Sequence, residues 1–194
     1  MEPRDFVFPA DHGPHPEFKT EWWYYTGNLL GDQGRRFGYQ LTFFRIALHP
    51  EPVSRASEWA ANQVYMAHFA LTDADAERFH HFERFSRAAL GLAGAVATPF
   101  RVWLEDWSAV GSGDASLPMS LQAAAGEVAI NLQLESAKPV VLQGNQGLSQ
   151  KSAAPGNASY YYSLTRMPTT GEIRLGEETF KVVGASWLDR EWST

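Results

Sequence analysis

HPEFKTEWWYYTGNLL, residues His15–Leu30, sets one acid directly in front of four consecutive large aromatic residues. Successive side chains of a β-strand point to opposite faces, so Glu21, Trp23 and Tyr25 fall on one side and Trp22, Tyr24 and Thr26 on the other. Both faces of such a strand carry aromatic bulk, and both need cover. A carboxylate among those rings is costly to bury unless it is paired or neutralised, which makes Glu21 the first candidate for function.

Working outward, Gly31 to Gly34 is a hairpin turn, and Phe37–Ala47 returns with Tyr39, Leu41 and Phe43 alternating against Gln40, Thr42 and Phe44. Arg45 shares the Tyr39 side and is a natural partner for Glu21. Upstream, Pro3, Pro9, Pro14 and Pro16 make residues 1–20 an irregular arm. Downstream, Val64–Asp73 and Arg78–Arg87 read as strands. Phe100–Ala109 reads as a single strand separating Arg101, Trp103, Glu105 and Trp107 from Val102, Leu104 and Asp106. SLQAAAG and EVAINLQLES form a hairpin, ASYYYSLTRM is a further strand, and two short strands flank Gly176. Pro50–Ala61 reads as a loop with a helical turn, residues 88–98 as a covered loop and Gly144–Ser159 as a polar loop. About ten short strands with little helical periodicity predict a closed or nearly closed antiparallel barrel.

Composition narrows the function classes. With 44% apolar and 20% charged residues the chain is neither disordered nor fibrous. A net charge of −6 and the lack of a Lys/Arg cluster argue against nucleic acid as a partner. The absence of Cys removes disulfides, thiolate catalysis and Cys-based metal sites. No apolar run approaches the roughly 20 residues that cross a bilayer, so no stable membrane insertion is expected. The opening MEPRDFVFPADHGPHP has no apolar core and does not read as a signal peptide. A removed signal would leave the same picture, and the protein would then be periplasmic or secreted.

Two readings are open for each candidate residue. Glu21 is a general acid or base whose pKa is raised by the wall of Trp22 and Trp23, or a structural ion pair with Arg45 or Lys19. His68 is a proton carrier or a metal ligand, or else a satisfied core residue, since it has no acidic or second His neighbour at ligand spacing. His80 and His81 point to opposite faces and cannot chelate together, and Glu105 and Asp106 likewise alternate. No serine sits in a Gly-x-Ser-x-Gly elbow. The Tyr160–Tyr162 run is packing in which one hydroxyl, taken as that of Tyr161, faces a ligand. SWLDREW, Ser186–Trp192, places aromatics and three charges where a terminus usually frays, which suggests a longer natural chain.

HPEFKTEWWYYTGNL, GYQLTFFR, YMAHFALTD, LEDWS, GNASYYYSLTRM and SWLDREWS together resemble the family of carotenoid 1,2-hydratases and the related AttH-like predicted secreted hydrolases. The resemblance covers nearly the whole chain, and its specificity lies in the combination of motifs. It implies a lipocalin-like (calycin) β-barrel of eight to ten strands over residues 21–185, an arm over 1–20, and a linker from 186–194 into a second barrel. It also implies acid-assisted addition or removal of water on a small hydrophobic, isoprenoid- or lipid-like substrate, without cofactor or metal. Glu21, His68, Asp189, Arg190 and Trp192 are then the catalytic candidates, and Trp22, Trp23, Arg45 and Tyr161 the ligand-binding ones. Arg190 stands where the hydratase branch has a His, which favours the AttH-like branch. The alternative is a non-catalytic carrier barrel for a small hydrophobic ligand.

Overall fold

The computed structural model describes residues 2–51, 56–113, 116–154 and 156–194, leaving the side chain of Gln33 aside. Parts of the loops expected at Pro50–Ala61 and Gly144–Ser159 lie outside these residues.

Among the described residues thirteen strands build one antiparallel sheet. They are β1 Thr20–Gly31, β2 Arg36–Ala47, β3 Gln63–Asp73, β4 Arg78–Arg87, β5 Ala93–Val96, β6 Arg101–Leu104, β7 Trp107–Gly111, β8 Met119–Ala125, β9 Val128–Leu134, β10 Val141–Leu142, β11 Leu148–Gln150, β12 Ala158–Leu175 and β13 Glu178–Ser193. Eleven of them run in the order β4-β3-β2-β1-β13-β12-β9-β8-β7-β6-β5, while β10 and β11 pair with the first half of β12. No helix among the described residues is long and apolar enough to cross a membrane, which says nothing of crossing by strands.

The path curls into a nearly closed barrel. Strands near its two ends meet through side chains: the rings of Phe69 on β3 and Trp107 on β7 lie 5.7 Å apart edge to face. Arg84 on β4 bonds Asp106, reaches the Ala124 carbonyl at 3.2 Å and covers the Trp107 ring at 4.3 Å.

The alternation in β1 and β2 does what the sequence predicts. Trp23, Tyr25, Leu41 and Phe43 are wholly buried inside, together with Phe69, Trp107, Leu121 and Leu132. The Tyr25 hydroxyl donates to Met119 Sδ at 3.5 Å, although β1 and β8 are not neighbours in the sheet. Side chains thus touch across the barrel, and those inside it form one continuous hydrophobic cluster. A surface cavity of about 420 Å³ is bounded by Pro16, Phe18, Lys19, Leu48 and His49.

Five local readings need correction. Phe100–Ala109 is not one strand: Glu105, with φ +57°, and Asp106 form a tight turn between β6 and β7. The pair Glu-Asp lacks the usual Asn-Gly signal, so the reversal was hidden. As a result Trp107 points inward and does not share a face with Trp103. Part of the expected loop 88–98 is the edge strand β5, and Leu148–Gln150 in the expected polar loop is β11. ASYYYSLTRM and the strand before Gly176 are one strand, β12, with a register shift between Leu164 and Met167 that carries Pro168 through the sheet. Residues 186–193, expected to begin a linker, are the second half of β13, paired to β1 on one side and β12 on the other.

Candidate functional site

The odd-numbered residues of β1 and the even-numbered end of β13 face inward at one end of the barrel, and there they meet. Glu21 lies opposite Arg45 on β2 and Trp192 on β13, while Arg190 lies opposite Trp23. Glu21, Arg45, Arg190, Trp23 and Trp192 are all wholly buried. One Glu21 oxygen bonds Arg45 Nε and the other Arg190 Nη2, and both accept from the His15 backbone N–H at 3.1 Å.

The irregular arm closes over this cluster because the cluster supplies the donors that its backbone needs. Arg45 Nη2 donates to the carbonyls of His15 at 2.8 Å and Phe18 at 2.6 Å, Arg190 Nη2 to Gly13 at 2.5 Å, and Trp23 Nε1 to His12 at 2.9 Å. The His15 ring stacks on Trp192 at 3.7 Å and meets Asp11 at 2.9 Å, and Asp11 is bonded in turn by Arg4.

Glu21 therefore does not have the raised pKa that its aromatic neighbours suggest. Burial pushes its carboxyl up, but the charges of Arg190 and Arg45 with the hydrogen bonds from His15 and Arg190 pull harder, down to about 2. It is an ionised strut, paired with Arg45 as the sequence allowed, and with Arg190 rather than Lys19.

Sequence reasoning passed over Asp11, His12 and His15 because the proline-rich arm has no periodicity to flag them. Asp11 is held at about 2: burial raises it, and His15 and Arg4 outweigh that. His12 is held at about 4 by burial first and by the charge of Arg190 second, so its ring is neutral at pH 7. Its Nδ1 lies 2.6 Å from the Tyr162 hydroxyl.

The remaining candidates lie on the outside. Trp22 and Tyr24 of β1, Trp187 and Asp189 of β13, and Tyr161 of β12 are half-buried on the outer face of the same strands. Tyr24, Asp189 and Ser163 lie opposite one another in register, as do Trp22, Glu191 and Tyr161. Asp189 Oδ1 accepts from Ser163 Oγ at 2.5 Å and Trp187 Nε1 at 2.6 Å. Tyr161 is pushed up to about 12, by burial first and then by the charge of Asp189, so it remains a neutral phenol. His68 is on this face too, 3.2 Å from Glu83 and beside the Phe44 ring. It belongs to β3, three strand spacings or about 14 Å from β13, too far to act with Asp189 directly. Alternation thus splits SWLDREW: Arg190 and Trp192 serve the interior, while Trp187 and Asp189 face out.

Comparison with known proteins now adds identity. The AttH-like family profile matches residues 1–194. The chain belongs to the AttH-like family. A Nitrosomonas europaea crystal structure assigned to AttH is 34% identical, with a TM-score of 0.87, covering 100% of this chain and 58% of its own. Kievitone hydratase from Nectria haematococca aligns over 97% of this AttH-like chain and 52% of its own, at 11% identity and a TM-score of 0.71. CghA aligns over 100% and 52%, at 16% identity and a TM-score of 0.51. At such identities these two show the fold alone, a lipocalin-like barrel. The AttH-like chain spans little more than half the length of these structures. A search of curated proteins gave no match.

Proposed function

We propose that this AttH-like barrel is the N-terminal half of a hydratase- or hydrolase-like enzyme. Its substrate is apolar, isoprenoid- or lipid-like, and water is added or removed with acid assistance at the outer-face cluster around Asp189. The observation that carries this reading is the setting of Asp189: a carboxyl group that accepts from Ser163 and Trp187, directly opposite Tyr24, with Trp22 and Tyr161 on the same outer face.

In the hydration direction the Asp189 carboxyl gives its proton to one carbon of a double bond. The cation left on the other carbon is stabilised by the electron-rich ring faces, water adds to it, and the proton that water sheds returns to the carboxylate. Tyr161, as a neutral donor, orients the water. The similarity to kievitone hydratase supports the reaction class through the shared fold. Side chains that touch across the interior, such as Tyr25 and Met119, weigh against the carrier reading, which needs a hollow barrel. Glu21, Arg45, Arg190, Trp23 and Trp192 are assigned a positioning role, fixing β1 against β13 beneath the outer cluster.

The test is turnover of a terminal-alkene isoprenoid by the complete enzyme and by its Asp189→Asn variant. A fall of about 100-fold or more with the melting temperature unchanged is expected. Equal turnover by the two proteins would remove Asp189 from the reaction.

A further inference from the structure

The outside of the barrel is divided into two kinds of surface. On β8 and β9 the outward side chains include Ser120, Gln122, Asn131 and Gln133, a solvated face; on the adjoining part of β13 only the pair of Val183 and Leu30 interrupts outward polar residues such as Lys181. Across β4, β3, β2 and β1 the outward positions opposite one another are Phe85, Met66, Phe44 and Trp22. With strands about 4.8 Å apart this apolar row is roughly 14 Å long. Phe85, at its outer end, is 63% exposed. Single exposed apolar residues are ordinary, but a continuous row of four, one per strand, marks a surface that is covered by something.

We infer that this row is the seat of a second barrel within the complete protein. The occupant is argued from the comparison: the 34%-identical structure matches this chain along its full length and still has 42% of its own chain left over, since this chain covers 58% of it. Such a polypeptide needs a face of the barrel to pack against, and the face of β8 and β9, with Gln122, Asn131 and Gln133 outward, offers little apolar area to bury. The row also runs into the cluster of Trp22 and Asp189, so a partner seated on it closes over that cluster from the side. The inference concerns packing and holds whether or not Asp189 takes part in a reaction.

The chain contains no Cys, so a single thiol reports on the surface directly. Phe85→Cys and Gln122→Cys are both exposed positions in this barrel. They are made in the complete protein, with any cysteine elsewhere replaced by serine, and maleimide labelling rates are measured. Labelling at position 85 is expected to be about tenfold slower, or more, than at position 122. Equal rates overturn the inference. Protection at 85 that disappears on roughly hundredfold dilution also overturns it, and assigns the row to a second copy of the chain instead. Neither result depends on turnover, so this inference and the proposed reaction fail separately.

Discussion

Arg190 lies on the face of the Trp23 indole, 4.0 Å from the ring centroid, and Trp23 is the residue directly opposite it between β1 and β13. This stacking aims Nη2 past the indole at Glu21, two residues back on β1, and at the Gly13 carbonyl of the arm. Removing one partner of a buried ion pair leaves the other charged without compensation. Glu21→Gln is therefore expected to destabilise the fold by about 3–5 kcal/mol, read from the urea midpoint. A loss below about 1 kcal/mol would mean that the two arginines find other acceptors when Glu21 is neutral.

Acid should weaken the protein in two stages. His12 is held at about 4 in the folded state against an ordinary 6.5, so the unfolded chain takes up the proton first and stability falls as pH drops from about 6.5 toward 4. Glu21 and Asp11 are held at about 2 against 4.5 and 3.8; their contribution is complete above about pH 5 and is lost as pH falls toward 2. Urea denaturation at a series of pH values tests this, and His12→Gln is expected to flatten only the upper stage. A wild-type curve already flat between pH 6.5 and 5 would contradict a buried neutral His12.

The barrel is closed at one seam by side chains alone, and Arg84 reaches over it to Trp107 and Asp106. Asp106 is largely exposed, so its ion pair contributes little and the cation–ring contact is the larger part. Arg84→Met should cost about 1 kcal/mol, while Trp107→Ala, which empties the wholly buried side of the same seam, should cost about 3–5 kcal/mol. Calorimetry of the two variants distinguishes them, and equal losses would place the seam's stability in the charge.

Tyr161 touches the proposed reaction but not the core. Tyr161→Phe is expected to lower turnover of the complete enzyme about tenfold or more while changing stability by no more than about 0.5 kcal/mol. Unchanged turnover would confine the role of this phenol to covering Asp189.

Much of this architecture was legible in residue order. Period-two alternation in EWWYYTGNLL and FGYQLTFFRIA assigns Glu21, Trp23 and Arg45 to one face, because a strand cannot turn its side chains any other way. The same rule divides Asp189 from Arg190. The turn at Glu105–Asp106 and the passage of β12 through Pro168 were not legible, since neither carries a local signal stronger than its alternatives.

By itself the sequence determined the antiparallel barrel, the pairing of β1 with β2 and the resemblance to AttH-like proteins, all of which rest on local patterns or on the combination of motifs. The tertiary structure decided the ionisation of Glu21. A pKa depends on whichever charges come within a few ångströms, and Arg190 is brought there from 169 residues away. It likewise decided which side chains meet inside the barrel, because contacts between non-neighbouring strands, such as that of Tyr25 with Met119, follow only from how the sheet curls.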